Sequence, residues 1–179
     1  MHGLVTLLPE PFYSKVNAVW DGLENEFGLN GIRVTPYPHF SWNIGETYHR
    51  PDLDLALGEI AENAPEILVQ TEGISLFPAP RPVLFIKVLR HPALDALHTQ
   101  LWEKMQTIAD GMSDYYNPEQ WQPHISLAYG DLESGRVSEV ADWLEDQDNF
   151  CWEFQVDNIS FIYEPDGEIG DLQLRVPLI

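Results

Sequence analysis

The sequence predicts an α+β fold of two pseudo-symmetric lobes, each a small antiparallel sheet with helices on its outer face, which together enclose a central cleft. Two observations support this prediction. The segment P-H-F-S-W at 38–42 returns as P-H-I-S-L at 123–127, and the shift of 85 residues that carries His39 to His124 also brings G-I-S-L-F at 73–77 onto N-I-S-F-I at 158–162. Each half also repeats one order of elements: strand, helix, strand, helix, hairpin.

The first half begins with a strand, V-T-L-L at 5–8. A helix over 12–28 is predicted next, because apolar residues recur there at helical spacing. The P-H-F-S-W strand follows, and then a shorter helix over 52–63. A hairpin closes this half: V-Q-T-E-G-I-S-L-F runs out, P-A-P-R-P turns, and V-L-F-I-K-V returns.

The second half repeats this plan, with a strand at 84–89 and a helix over 93–109 for which Pro92 is a suitable start. The P-H-I-S-L strand and a helix over 135–147 follow. Its hairpin runs out as F-Q-V-D-N-I-S-F-I-Y, turns at E-P-D-G-E and returns as D-L-Q-L-R-V. No linker or low-complexity segment separates the halves, so residues 1–179 are predicted to form a single bilobal domain.

The composition narrows the class of protein. A hydrophobic content of 44% suits a packed globular domain, and no run approaches the length of a membrane span. The N-terminal residues lack the basic and apolar regions of a signal peptide, and Cys151 is the single cysteine, so we expect a cytoplasmic protein without an intrachain disulfide.

The charge bears on the partner. Nine Lys and Arg side chains stand against 29 Asp and Glu, a formal charge of -20, whereas proteins that bind long nucleic acids neutralise many phosphates with basic side chains. We therefore expect no long nucleic acid and no membrane as a partner. A small phosphorylated nucleotide or a short RNA terminus is compatible with this charge, because a few local donors can hold one or two phosphates. We also expect a monomer.

Side-chain alternation places the repeated motifs. Along a strand, His39, Ser41 and Asn43 point to one side, which we expect to be the uncovered face of the sheet. In the second copy, His124 and Ser126 point the same way. The residues expected to face the core beneath the helices are Phe40, Trp42, Ile44, Ile125, Leu127 and Tyr129.

Two histidines opposed across a cleft suit phosphodiester cleavage. One imidazole takes a proton from the nucleophile while the other gives a proton to the leaving oxygen, and the serine hydroxyls donate to the non-bridging phosphoryl oxygens. A lone histidine on a strand is more often structural, but these two share a frame on the side that packing does not require. The remaining histidines lack the frame and are expected at the surface or in loops: His2, His49, His91 and His98.

These residues resemble the paired His-x-Ser/Thr motifs of the two-histidine phosphoesterase superfamily, which includes the bacterial 2'-5' RNA ligase and cyclic phosphodiesterase group. The stretches R-P-V-L-F-I-K-V-L and A-L-D-A-L-H-T-Q-L are also similar to that group. The resemblance implies that His39 and His124 are the catalytic acid and base, and that Ser41 and Ser126 bind phosphate. It implies substrates such as 2',3'-cyclic phosphates or 2'-5' linkages, a reverse ligase activity in some members, and no metal or other cofactor.

Further candidate substrate-binding residues lie near the ends of the predicted strands and in the loops 45–51, 78–82 and 111–122 that should frame the cleft. Many relatives carry a basic residue shortly after the second motif, where this chain has Ala128 and Tyr129. The P-A-P-R-P turn offers a cation instead. The candidates are Arg81, Tyr129, Tyr48, Phe77 and Trp121.

Two other functions are compatible with the same residues. The fold can serve as a non-catalytic module that binds a nucleotide or a protein, an alternative that the acidic charge and the missing basic residue support. Alternatively, His39 and His124 can be metal ligands, although neither motif contains a neighbouring carboxylate or a third histidine.

Overall fold

The structure, a computed structural model, describes residues 1–78 and 81–179. Four helices form: α1 Phe12–Phe27, α2 Arg50–Ala61, α3 Pro92–Met105 and α4 Val137–Gln147. The strands are β1 His2–Leu7, β2 His39–Gly45, β3 Thr47–Tyr48, β4 Ile67–Phe77, β5 Val83–Val88, β6 Ala109–Asp110, β7 His124–Ala128, β8 Glu153–Val156, β9 Asn158–Tyr163 and β10 Asp171–Pro177. No helix in the described part of the chain is long and apolar enough to span a membrane.

Two four-stranded antiparallel sheets carry the fold. Their strand orders are β10-β9-β1-β2 in the first sheet and β8-β4-β5-β7 in the second. In both orders a histidine strand is at one edge and pairs with the strand that opens its half of the sequence. The I-S strand lies on the other side of that opening strand. This correspondence confirms the predicted α+β class with two similar sheets, while β3 and β6 form a separate two-stranded ribbon.

The two sheets exchange segments of the chain. The first sheet takes β1 and β2 from the start of the sequence and β9 and β10 from its end, so the predicted strand at 154–163 is divided at Asp157. Its first part, β8, pairs with β4, whereas β9 pairs with β1. The buried side chain of Asn158 fixes this switch, because it bonds both the N–H of Leu7, at 3.1 Å, and the carbonyl of Leu7, at 2.9 Å.

The helices cover the sheets in a crossed arrangement. Helix α1 follows β1 of the first sheet but packs on β7 of the second, while α3 follows β5 of the second sheet and packs on β2 of the first as well as on β4. Helix α2 packs on β9 and β10, and α4 packs on α1 and β4. The apolar stripe predicted for α1 is buried, with Val16 and Leu23 fully inaccessible to solvent.

Both histidine strands contain a β-bulge directly after the serine. Val5 pairs with Ser41 and Leu4 with Asn43, which leaves Trp42 as the extra residue. In the second sheet Phe85 pairs with Ser126 and Leu84 with Ala128, which leaves Leu127 as the extra residue. A bulge adds one residue to one strand, so the alternation of side chains reverses beyond it.

The bulge makes the orientations predicted for the residues after Trp42 and Leu127 wrong, whereas these two are buried as expected. Asn43, expected on the open face, is 0% exposed and accepts a hydrogen bond of 2.7 Å from the Tyr48 hydroxyl. Ile44, expected in the core, lines the cleft instead. Tyr129 in the second sheet was likewise expected in the core, but it is 47% exposed and also lines the cleft, and Ala128 is buried in its place.

Candidate active site

The open faces of the two sheets meet in a cleft of about 300 Å³. The edge strands β2 and β7 lie beside each other at its base and bring their motifs together. All four residues of the predicted pairs line this one cleft: His39, Ser41, His124 and Ser126. The other sides are formed by the segment 31–35, by the loop before β7, and by the end of β9.

The two imidazoles are held in the same way. Nδ1 of His39 bonds the carbonyl oxygen of Tyr37, and Nδ1 of His124 bonds that of Gln122 at 2.7 Å. A carbonyl oxygen only accepts, so Nδ1 carries the proton in each ring and Nε2 is the nitrogen left for a ligand. The intervening proline of each motif restricts the residue before it to extended backbone, which explains why Pro-His recurs with this geometry.

Burial sets the proton affinity of both rings. Loss of hydration is the main cause that lowers the pKa of His39 to about 4; the bond to the Tyr37 carbonyl opposes this shift, and the positive charge of a protonated His124 adds to it. Burial also lowers the pKa of His124, partly offset by its bond to the Gln122 carbonyl. Because each charge disfavours the other, the pair accepts a first proton more readily than a second.

Two phenylalanines surround His124. The ring of Phe77 meets the imidazole edge-on at a centroid distance of 5.0 Å, and Phe85 lies at 5.1 Å. The two phenyl rings are 4.2 Å apart. Phe77, a candidate for stacking on a base, therefore packs against the catalytic candidate and contributes to its desolvation.

The backbone at each serine is anchored by an indole. Trp121 Nε1 donates to the Ser41 carbonyl at 3.0 Å, and Trp20 Nε1 donates to the Ser126 carbonyl at 3.1 Å. Both tryptophans are buried in the core. Each His-x-Ser strand is thus fixed from beneath by a side chain distant in sequence, while the serine side chain lies along the cleft.

Tyr116 is a cleft residue that the sequence reasoning missed. It belongs to the loop 111–122 that was expected to frame the cleft, and its hydroxyl lies within hydrogen-bonding reach of the Ser41 hydroxyl. Burial raises the pKa of Tyr116 to about 12, so it is a neutral hydroxyl that can donate to a ligand. No periodic pattern marks it, because it is in a short 3₁₀ turn, Asp114–Tyr116.

Trp121 was predicted wrongly as a base-stacking candidate. It is 1% exposed and stacks on Trp42, at 5.5 Å and an interplanar angle of 19°, and on His98, at 3.8 Å and 6°. The ring is therefore packed in the core, where a nucleotide base has no access to it. Tyr48 also faces inward: its hydroxyl donates to Asn43 and its ring meets Phe161 edge-on.

His98 was predicted at the surface or in a loop, and this is wrong. It is 1% exposed on α3, where Nε2–H donates to the Trp42 carbonyl at 3.1 Å, and burial lowers its pKa to about 4. The signal was available in the sequence, because position 98 falls on the stripe formed by Leu94, Leu97 and Leu101.

Arg81, the arginine expected to contribute a positive charge at the edge of the cleft, does not line it. Its side chain is exposed. Ala79 and Pro80 of the same predicted turn lie outside the described residues. Tyr129, in contrast, presents an exposed aromatic ring at the cleft. Within 1–78 and 81–179, no group of three or more His, Cys, Asp or Glu side chains is arranged to hold a metal ion.

The cleft with two opposed His-x-Ser strands defines a protein of the phosphoesterase or RNA ligase type. The model of the 2'-5' RNA ligase superfamily matches residues 15–168, and the chain belongs to this family. No curated protein matches the sequence.

Solved structures share the fold. The crystal structure of TT0787 of Thermus thermophilus has a TM-score of 0.61 at 17% identity, over 99% of this chain and 97% of that one. A crystal structure described as a phosphoesterase has a TM-score of 0.60 at 14% identity, with the same coverage of 99% and 97%. At these identities the likeness concerns the fold.

Proposed function

We propose that this protein is a metal-independent phosphodiesterase that acts on 2',3'-cyclic phosphates or 2'-5' linkages of nucleotide-type substrates, with His39 and His124 as general acid and base. One observation carries the proposal. Each Nδ1–H is engaged by the carbonyl two residues earlier, so each Nε2 is the ring nitrogen available in the shared cleft. Membership in the 2'-5' RNA ligase superfamily supports this class of reaction.

The reaction on a 2',3'-cyclic phosphate needs one neutral and one protonated imidazole. The neutral histidine takes a proton from water as the water oxygen bonds to phosphorus. The bond from phosphorus to one ribose oxygen breaks, and the other histidine gives its Nε2 proton to that oxygen. A 2'- or 3'-phosphomonoester results, and proton exchange with solvent restores both histidines. A ribose 5'-hydroxyl in place of water gives the ligation that forms a 2'-5' linkage.

The electrostatics favour this singly protonated pair. A protonated His124 lowers the pKa of His39, so the second imidazole stays neutral when the first is charged. An acid and a base are then present in the same molecule. Two independent histidines with equal pKa values would form this singly protonated state in a smaller fraction of molecules.

The serines are proposed to bind the phosphoryl oxygens, where negative charge accumulates in the transition state. No Lys or Arg is among the described residues that line the cleft, so the proposed donors to the phosphate are the hydroxyls of Ser41, Ser126 and Tyr116 and the protonated imidazole. A site with few donors suits a single phosphate, which agrees with the expected small nucleotide or short RNA terminus.

The proposal is tested with a mononucleotide 2',3'-cyclic phosphate and with a long RNA that ends in the same group, each in excess chelator. We expect hydrolysis of both, with the mononucleotide processed at least as well. Saturable binding of the nucleotide without turnover would favour the non-catalytic binding module. Loss of activity in chelator, restored by a divalent cation, would favour the metal-ligand function of the histidines.

A further inference from the structure

We infer that Glu164 and Thr35 form a base-recognition site that selects guanine at the end of the cleft remote from the histidines. This inference rests on the proposed function, because it concerns the nucleoside attached to the reacting phosphate. Both residues line the cleft, and the Thr35 hydroxyl donates a hydrogen bond to Oε2 of Glu164.

The distance along the sheet suits a nucleotide. Ser41 pairs with Val5 on β1, whereas the N–H of Glu164 bonds Nδ1 of His2 at 2.9 Å, which places Glu164 level with the start of β1. Three residues of strand separate these levels, roughly 10 Å at the ordinary rise of a strand. A nucleotide whose phosphate lies at the serines therefore extends its base toward Glu164.

The carboxylate at this end disfavours a phosphate. The N-terminal ammonium of Met1, which also lines the cleft, donates to the backbone carbonyl of Glu164 at 3.2 Å and lies 3.9 Å from Asp166. Glu164 is the one carboxylate among the described residues that line the cleft, and a carboxylate accepts hydrogen bonds but donates none. It repels an anion and requires a donor from the ligand. The bond from Thr35 takes one lone pair of Oε2, so both carboxylate oxygens can still accept from a ligand.

The walls around this carboxylate suit a flat ring. Val34 and Ile162 also line the cleft, and the Ile162 side chain, the Val34 carbonyl and Oε2 of Glu164 all lie against Gly170. The carbonyl of Val34 accepts a bond of 2.8 Å from the N–H of Gly170, which ties the segment before Thr35 to the loop that follows Glu164. Apolar walls with one polar end group are typical of nucleotide and other small-molecule pockets.

Guanine is the base that complements a carboxylate best. Its N1–H and N2–H donors are adjacent and parallel, so they can bond the two carboxylate oxygens together. Adenine and cytosine present an amino donor beside a ring acceptor, and uracil presents one N–H between two carbonyls, so each places an acceptor against the carboxylate. In a 2',3'-cyclic nucleotide both ribose oxygens belong to the phosphate ring, so the sugar offers no diol in competition.

The test compares kcat/KM for the 2',3'-cyclic phosphates of guanosine, adenosine, cytidine and uridine. We expect the guanosine substrate to be preferred over adenosine by about 10- to 100-fold, the discrimination typical of a bidentate pair. In Glu164→Gln one acceptor becomes a donor, and the preference should fall to a few-fold at most. Thr35→Val keeps the shape of the side chain but frees the carboxylate to rotate, and it should reduce the preference partially.

The matched control is Glu168→Gln, which makes the same change of charge on an exposed side chain of the same loop. This variant should retain the full guanine preference. Equal kcat/KM for the four substrates in the native protein, or a preference that survives Glu164→Gln, would overturn the inference.

An equilibrium measurement separates this inference from the proposed reaction. Dissociation constants of 3'-GMP and 3'-AMP, which are product-like ligands, are measured for the native protein and for Glu164→Gln. If no cyclic nucleotide is hydrolysed, the proposed function fails, while tighter binding of 3'-GMP that depends on Glu164 still supports the base site. Hydrolysis without any preference in rate or binding rejects the base site alone.

Discussion

The two half-sites share a backbone and differ in their surroundings. His39 and His124 are held by the same bond to the carbonyl two residues earlier, and β2 and β7 bulge at the same position after the serine. Across the strand pair, His39 faces Leu7 whereas His124 faces Lys87.

The neighbours of each serine differ in the same way. Ser41 is 8% exposed and has Tyr116 within hydrogen-bonding reach, whereas Ser126 is more accessible and pairs across the strands with Phe85. The comparison teaches that a duplicated backbone can position two similar groups in different surroundings. Burial lowers the pKa of both imidazoles, and the charge of His124 acts on His39 as well, which favours one neutral and one protonated ring.

The largest effect is expected from removing either imidazole. His39→Ala or His124→Ala should lower the hydrolysis rate of a 2',3'-cyclic nucleotide by about 10²- to 10⁴-fold, the usual share of one acid or base. The double variant should be little worse than either single one, because the pair acts as a unit. Steady-state kinetics of the folded variants measure this. The control is His49→Ala, which changes an exposed histidine and should keep the native rate. A native rate in His39→Ala or His124→Ala would instead favour the non-catalytic binding module.

The second effect concerns pH. The profile of kcat/KM reports the free protein, in which burial lowers the pKa of His39 to about 4 and that of His124 below the ordinary 6.5. The base must be neutral and the acid protonated, so activity should be bell-shaped. The optimum should lie between these values and fall about tenfold per pH unit above the upper limb. An optimum at pH 7 or higher would contradict the lowered pKa values.

Replacing either serine is expected to have a smaller effect than replacing a histidine. The serine variants also show whether the two half-sites differ in their coupling to Tyr116. Ser41→Ala and Ser126→Ala should each lower the rate by about 10- to 100-fold, because each removes one hydrogen bond to a charged oxygen. Tyr116→Phe should add little in the Ser41→Ala background but act almost independently of Ser126→Ala, since of the two serines it is Ser41 that interacts with the Tyr116 hydroxyl. A double-mutant cycle measures this coupling. Equal coupling energies of Tyr116 with Ser41 and with Ser126 would contradict the proposed difference between the two half-sites.

The smallest effect on activity is expected from His98, which acts on stability. Its folded pKa of about 4 lies below the unfolded 6.5, so the unfolded state binds more protons between these values. The stabilisation is present above pH 6.5 and is lost as the pH falls toward 4, at most about 3 kcal/mol for this group. His98→Phe keeps the stack on Trp121 and should lose less stability than the native protein over that range in urea unfolding. Identical pH dependence in both proteins would refute this role.

The sequence alone determined the repeat, the four helices and the two matching His-x-Ser strands. These features depend on local patterns: helical spacing of apolar residues, strand alternation over short segments, and the restriction that each proline places on the residue before it. His39, Ser41, His124 and Ser126 precede the bulges, so alternation predicted that they share an open face, and all four line the cleft.

Tertiary structure decided the rest. The bulges at Trp42 and Leu127 arise from pairing with β1 and β5, and they reversed the expected orientations of Asn43, Ile44 and Tyr129. The assignment of β8 and β9 to different sheets likewise depends on contacts between residues far apart in sequence, such as the bonds of Asn158 to Leu7.

The remaining cleft residues also could not be predicted from local sequence patterns. Tyr116, Thr35 and Glu164 line the cleft from segments without periodicity, whereas Trp121, expected there, is buried in a stack with Trp42 and His98. A local pattern specifies which side of its own strand or helix a residue occupies. Which residues from distant segments meet there is decided only when the sheets and helices pack, because that packing sets the contacts between them.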